Sequence, residues 1–184
     1  MNHIDLAKAF RKLGVESLND MQKATAKAMQ AGKGDVVVLS PTGTGKTLAY
    51  LLPLVEMINP ENDNVQAVVI VPGRELALQS QQVLAAVGAV RGMACYGGRT
   101  AMEEHRALKQ LRPQVVFATP GRLNDHLAKG NISANDVHLL IIDEFDKCLD
   151  MGFENEMRTA LASLPQVKRR VLLSATNSPR IPLF

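Results

Sequence analysis

Six short, nearly continuous apolar runs, separated by stretches of helical length, constrain this chain more than any other feature. The runs are Val36–Leu39, Ala67–Val71, Met93–Tyr96, Val115–Ala118, Leu139–Ile142 and Val171–Leu173. They are rich in Val and Ile and lack the alternation of a half-exposed strand, so they predict strands buried on both faces. Between them, Lys46–Ile58, Glu75–Val90, Ala101–Leu111, Arg122–Lys129 and Glu154–Leu164 carry a helical period. Repeated strand–helix–strand units imply a mainly parallel sheet with helices on both faces. The expectation is an α/β chain in three layers, helix on sheet on helix, with residues 1–184 forming one domain.

Local signals mark some of the ends. Thr100 can cap the Ala101–Leu111 helix; Glu103 and Glu104 suit its positive end, Lys109 and Arg112 its negative end, and Pro113 stops it. Ahead of the first run, Leu18, Met21, Thr25, Ala28 and Met29 share one face of a helix, for which Ser17 and Asp20 form a candidate capping box. Asn59–Gln66 reads as a polar surface loop, and the final SPRIPLF as a ragged end.

Composition narrows the function classes. The chain is 46% hydrophobic and 21% charged, which argues against disorder, collagen or coiled coil. A net charge of +3 is too mild to prove a nucleic-acid partner and allows one if the basic groups cluster. Five Phe, two Tyr and no Trp leave little for stacking successive bases, whereas gripping a phosphodiester backbone stays open. Cys95 and Cys148 form no C-x-x-C and have no His at metal-ligand spacing, so they read as reduced thiols. His3, His105, His126 and His138 show no such spacing either. No apolar run approaches the roughly 20 residues of a membrane span. A soluble cytoplasmic protein, monomeric by default, is expected.

The chemistry starts after the first run, at Ser40-Pro41-Thr42-Gly43-Thr44-Gly45-Lys46-Thr47. A strand feeds a Gly-containing loop that feeds a helix, the context a phosphate cradle requires. Gly43 and Gly45 let several N–H groups point at one anion, and the helix N-terminus adds its positive dipole end. Lys46 brings a full charge to terminal phosphates, and the Thr47 hydroxyl suits Mg²⁺. Ser40 stands where the strict G-x-x-x-x-G-K-[ST] pattern has its first Gly. Later, the Leu139–Ile142 run ends in Asp143 and Glu144. A buried strand places such carboxylates at the carboxyl edge of the sheet, where open α/β sheets bind ligands. Asp143 can then hold Mg²⁺, and Glu144 can orient and deprotonate an attacking water.

These segments and several others, in order, resemble the N-terminal RecA-like domain of DEAD-box RNA helicases, a three-layer αβα P-loop domain. The match runs from about Gly14 to Thr176. Gln22 resembles the glutamine of the Q motif, in the region 1–31, and SPTGTGKT is similar to motif I. Pro72-Gly73-Arg74-Glu75-Leu76-Ala77 resembles motif Ia, Gly97-Gly98 the glycine doublet and Thr119-Pro120-Gly121-Arg122 motif Ib. Asp143-Glu144-Phe145-Asp146 is similar to motif II, and Ser174-Ala175-Thr176 to motif III. The resemblance implies ATP as the ligand of Thr42 to Thr47, with Gln22 reading the adenine edge. It assigns motif Ia, the doublet and motif Ib to the RNA sugar–phosphate backbone, where Arg74, Arg99 and Arg122 can add charge. It also implies that Ser174 and Thr176 hydrogen-bond toward Asp146 and couple nucleotide state to domain closure.

Some positions depart from the family. Phe145 replaces the usual Ala, so a ring must find room beside the site. Gly73 replaces Thr, and Leu18-Asn19 stands where relatives have Pro-Thr. The aromatic that precedes the Q motif would fall before Met1, and Phe10 reads better as a core residue. The family's second RecA-like domain, with its arginine fingers, would have to follow Phe184. Since such a finger can be worth about 10³–10⁵ in rate, this chain alone is expected to bind adenine nucleotide weakly, hydrolyse it slowly and not unwind RNA. Two other readings compete: a stand-alone nucleotide-dependent RNA clamp, against which Glu144 argues, and a different P-loop ATPase acting on DNA, against which Gln22, PGRELA, TPGR and SAT argue.

Overall fold

All six expected strands form one parallel sheet in the computed structural model, which describes residues 4–32, 34–98 and 100–181. His3 and Arg99 lie outside the described residues. The strands are β1 (Val36–Leu39), β2 (Ala67–Ile70), β3 (Gly92–Cys95), β4 (Val115–Ala118), β5 (Leu139–Ile142) and β6 (Arg169–Ser174). Their spatial order is β1-β6-β5-β2-β4-β3. β2, β4 and β5 are buried along their whole length, as their unbroken apolar runs require.

Eight helices are seen among the described residues: α1 (Leu6–Leu13), α2 (Asp20–Gln30), α3 (Lys46–Met57), α4 (Arg74–Val87), α5 (Ala101–Leu111), α6 (Pro120–Ala128), α7 (Phe145–Asp150) and α8 (Glu154–Ala162). Strand parity divides the core. Val69, Phe117 and Ile141 face α2, α3 and α4, while Val68, Val116 and Leu140 face α5, α6, α7 and α8. Phe10 packs against the first of these clusters, as a core residue should.

Two expectations change at element ends. The N-cap of α2 is Asn19, not Ser17: its side chain accepts from Gln22 N, and the Gln22 side chain accepts from Asn19 N, both at 2.9 Å. The true box therefore sits two residues further on, because an Asn–Gln pair satisfies both orphan N–H groups. Thr100 caps α5 as expected, with Glu103 completing that box. Two helices have no counterpart in the sequence reading. α1 is an amphipathic helix of about two turns, framed by Asp5, which accepts from Lys8 N, and by Gly14 at φ +65°. α7 has six residues, too few to show a period.

Candidate phosphate-binding and nucleic-acid site

The loop between β1 and α3 is held by its own side chains and by α2. Gly45 forms the N-cap of α3 at φ +84°, and a Cβ there would sit 2.4 Å from Gln22 Nε2. The left-handed backbone calls for glycine, and a Cβ there would also push the Gln22 amide from its place. Gln22 Nε2 donates to Gly45 O (3.2 Å), and Asn19 Nδ2 donates to Thr44 O (3.0 Å). The capping box of α2 therefore doubles as a brace on the loop. Gln22 is 6% exposed and does not line the cleft beside it. Thr44 Oγ1 pairs with Ser40 Oγ at 2.8 Å, so the serine in the first-glycine position is part of the loop's bonding. The buried Lys46 ammonium donates to Ser40 O (2.5 Å) and Pro41 O (2.8 Å).

That cleft, of about 420 Å³, gathers residues far apart in the chain. Thr42, Gly43, Gly45, Lys46 and Thr47 line it together with Asp143 and Glu144, and Leu13, Val15, Leu48, Leu76, Gln79 and Val83 complete the lining. Asp143 is 2% exposed, and burial pushes its carboxyl up to about 6 despite the hydrogen bond from Glu144 N. Glu144 adopts φ +50°, ψ +50°, a left-handed conformation uncommon for a residue with a side chain. Its carboxylate meets Lys147 Nζ at 2.9 Å. Phe145 finds its room away from the cleft: it is fully buried in the core between the sheet and α6–α8.

Asp146 is the tie between motifs II and III. Its Oδ2 accepts from Ala175 N (3.1 Å), Thr176 N (3.2 Å) and Thr176 Oγ1 (3.2 Å). Burial alone would raise its carboxyl, yet these bonds and one from Lys147 N hold it below the ordinary value. Ser174 departs from the expectation. It is fully buried and its Oγ donates to Thr176 O (2.7 Å), shaping the turn instead of reaching Asp146.

The three segments expected to meet a sugar–phosphate backbone lie along the same sheet edge. Pro72 and Gly73 share a depression with Glu144 and Lys147, so this segment abuts the phosphate cleft. Gly97, Thr119, Gly121, Arg122, Asp125 and Phe153 line another. Gly98 is exposed beside it and Pro120, the first residue of α6, is buried. Arg74 is exposed, its guanidinium 5.1 Å above the Tyr96 ring. Arg122 is not a loose surface charge: its Nε lies 3.5 Å from Glu104 Oε2 and its Nη1 3.9 Å from Asp125 Oδ2.

A profile described as DEAD/DEAH box helicase matches residues 19–182. The chain belongs to that family. Its six parallel strands and flanking helices are the RecA-like ATP-binding domain of DEAD-box proteins. The chain is 40% identical over 175 residues to the DEAD-box ATP-dependent RNA helicase CshA of Bacillus subtilis, covering 94% of this chain and 35% of CshA. It is 38% identical over 183 residues to the ATP-dependent RNA helicase DeaD of Mycobacterium tuberculosis, covering 97% and 32%. The crystal structure of a DEAD box protein from Methanococcus jannaschii superposes with a TM-score of 0.88 at 30% identity, over all of this chain and 51% of that one. A hypothetical ATP-dependent RNA helicase from Sulfolobus tokodaii superposes at 0.84 and 31%, over 97% and 52%. The chain thus spans about a third of the length of its curated relatives.

Several residues of the DEAD-box site escaped the sequence reading. Asn19 was visible only as a departure from Pro-Thr, yet it braces Thr44. Leu13, Val15 and Gln79 reach the cleft through the packing of α1 and α4, which no local pattern encodes. Glu104, which local signals place as a dipole partner of α5, is fully buried against His126 and Tyr96. A larger, mainly apolar cavity of about 660 Å³ lies at the amino edge of the sheet, among Ile4, Leu6, Met29 and Met57. It is remote from the motif residues. No helix among the described residues is long and apolar enough to cross a membrane.

Proposed function

We propose that this chain is the ATP-binding half of an ATP-dependent RNA helicase, which with a second RecA-like domain couples ATP hydrolysis to local remodelling of RNA duplexes. The observation that carries the reading is the convergence of Lys46, Thr47, Asp143 and Glu144 on one cleft whose rim continues into Pro72 and Gly73. A phosphate entering the loop meets backbone N–H groups at the start of α3, and the Lys46 ammonium can exchange the Ser40 and Pro41 carbonyls for phosphate oxygens.

The donor set fits a hard divalent cation, since the Asp143 carboxylate and the Thr47 hydroxyl open onto the same cleft. Mg²⁺ held there would neutralise phosphate charge. Glu144 takes the proton of the attacking water at its carboxylate, which first has to leave Lys147 Nζ. Gln22 serves the adenine side once its amide exchanges the bonds it makes here to Asn19 N and Gly45 O. Gly73, Arg74, Gly97, Gly98, Thr119 and Gly121 form the RNA surface, reading backbone and not sequence, with Arg122 packed beneath it. The Asp146–Thr176 bonds couple the cleft to domain closure.

The test begins with the mass of the native gene product, by immunoblot with an antibody to this domain. A band of about twice this mass or more, as a second domain of similar size gives, leads to assay of the full protein for RNA-stimulated ATP hydrolysis and unwinding. Activity in both supports the reading. A full-length product that hydrolyses ATP with no response to RNA overturns it. The isolated chain should bind ATP weakly and not unwind.

A further inference from the structure

Beneath the exposed doublet and motif Ib lies a closed polar cluster. Glu104, on α5, is 1% exposed and uses both carboxylate oxygens. Oε1 accepts from Tyr96 N at 2.9 Å, immediately before Gly97. Oε2 lies 2.7 Å from His126 Nε2 and 3.5 Å from Arg122 Nε, both on α6. Asn131 Nδ2, 3.0 Å from His126 Nδ1, leaves Nε2 as the nitrogen that donates to Glu104. On the far side of the guanidinium, Asp125 Oδ2 sits 3.9 Å from Nη1, and Lys129 pairs with Asp125 at 2.7 Å. Arg122 is left with 14% of its side chain exposed.

A buried carboxylate is costly unless paired, and breaking one of its pairs leaves a charge with no solvent to receive it. The cost favours the one arrangement in which Tyr96, just after β3, and α6 supply the partners of this α5 carboxylate. Cys95 Sγ, Glu104 and His126 also fall within 4.8 Å of one another, a spacing a metal could use. The Arg122 cation beside Oε2 and the bonds already made to both oxygens oppose that use.

We propose that Glu104 is a positioning residue of the RNA surface, its buried carboxylate fixing the Gly97–Gly98 loop and Arg122 relative to one another. This role rests on the reading of that surface as RNA-binding. Arg122 then acts mainly as a strut that sets the N-terminus of α6, and phosphate is met by the N–H groups of the doublet and of that helix end. The geometry is rigid before RNA arrives, so less ordering is left to oppose binding.

Two titrations of the 184-residue chain test it: fluorescein-labelled oligouridylate with a non-hydrolysable ATP analogue present, and mant-ADP alone. Glu104→Ala should weaken RNA binding about tenfold while nucleotide affinity stays within about twofold, as expected when one partner of a buried charge pair is removed far from the second ligand. Glu104→Gln keeps the side chain's shape and one acceptor, for Tyr96 N, but turns an NH2 donor toward His126 Nε2 and Arg122 and carries no charge, and should lose at least about threefold. If Glu104→Ala does not fold, Glu104→Gln carries the same comparison. Equal or tighter RNA binding with a steeper salt dependence would mean that Arg122 is a phosphate ligand restrained by Glu104, and overturns the role. Parallel loss of nucleotide and RNA affinity also overturns it, showing a general structural defect. Wild-type chain that binds mant-ADP but no RNA sinks the RNA surface itself, and the role of Glu104 with it.

Discussion

Phe145 shows how a residue beside a reactive pair can be structural. It follows Glu144 directly, yet its ring points into the core because the left-handed turn at Glu144 starts α7 and sends successive side chains to opposite sides. Phe145→Ala, though it restores the family's usual residue, should therefore cost about 3–5 kcal/mol in urea unfolding, the range for emptying a buried aromatic site. Glu144→Gln removes the proton-accepting carboxylate from the cleft, and with it the charge that meets Lys147, while keeping the side chain's size. It should leave mant-ADP affinity unchanged and lower RNA-stimulated hydrolysis by the full-length protein by about 10²–10⁴, the usual worth of a general base. Lys46→Ala acts earlier, at binding, and should raise the mant-ADP dissociation constant at least about tenfold.

At the scale of elements, the loops of the site are fastened by helix ends. Asn19 caps α2 and braces the phosphate loop with one side chain. Asn19→Ala should lose about 1 kcal/mol of stability as a cap and weaken mant-ADP binding as well, whereas an ordinary cap substitution would move stability alone. Asp146 fastens the turn after β6 in the same manner. Burial works against its ionisation, but the hydrogen bonds it accepts outweigh that, so its carboxyl titrates below the ordinary 3.8. A carboxyl depressed on folding contributes stability that is complete above the unfolded value and is lost as pH falls through the lower folded value. The Ala175 and Thr176 amide resonances should therefore hold steady on acidification to about pH 4 and shift only below it. Movement of both amides near neutral pH would show that Asp146 does not hold this turn.

For the molecule as a whole, the side strand β1 keeps an exposed apolar face among the described residues. Val37 and Leu39 are 46% and 49% exposed, although Leu172, paired in register with Val37, is buried on that same face by the α5–α8 layer. Exposed apolar residues on an edge strand invite pairing with another chain. The double substitution Val37→Thr and Leu39→Lys should raise the concentration at which this chain begins to aggregate, read by light scattering, with little change in nucleotide affinity.

The sequence by itself determined the strands, the parallel sheet and the glycine-containing loop between β1 and α3. Val36–Leu39, Val115–Ala118 and Leu139–Ile142 appear with the boundaries their composition implies, because a run of Val, Ile and Leu buried on both faces has few other uses. Ser40–Thr47 and Asp143-Glu144 were legible for a similar reason: their chemistry depends on local spacing. Only the tertiary structure decided what those segments touch. Glu104 and Glu103 are neighbours with the same charge, and local physics treats them alike at a helix N-terminus. One completes the cap of α5, while the other turns inward to Tyr96, Arg122 and His126. The partners come from β3 and α6, and their arrival depends on the packing of three elements, a distance-dependent matter that residue order does not carry. The same holds for Leu13 and Val15 in the cleft, and for Ser174, whose hydroxyl donates to Thr176 O.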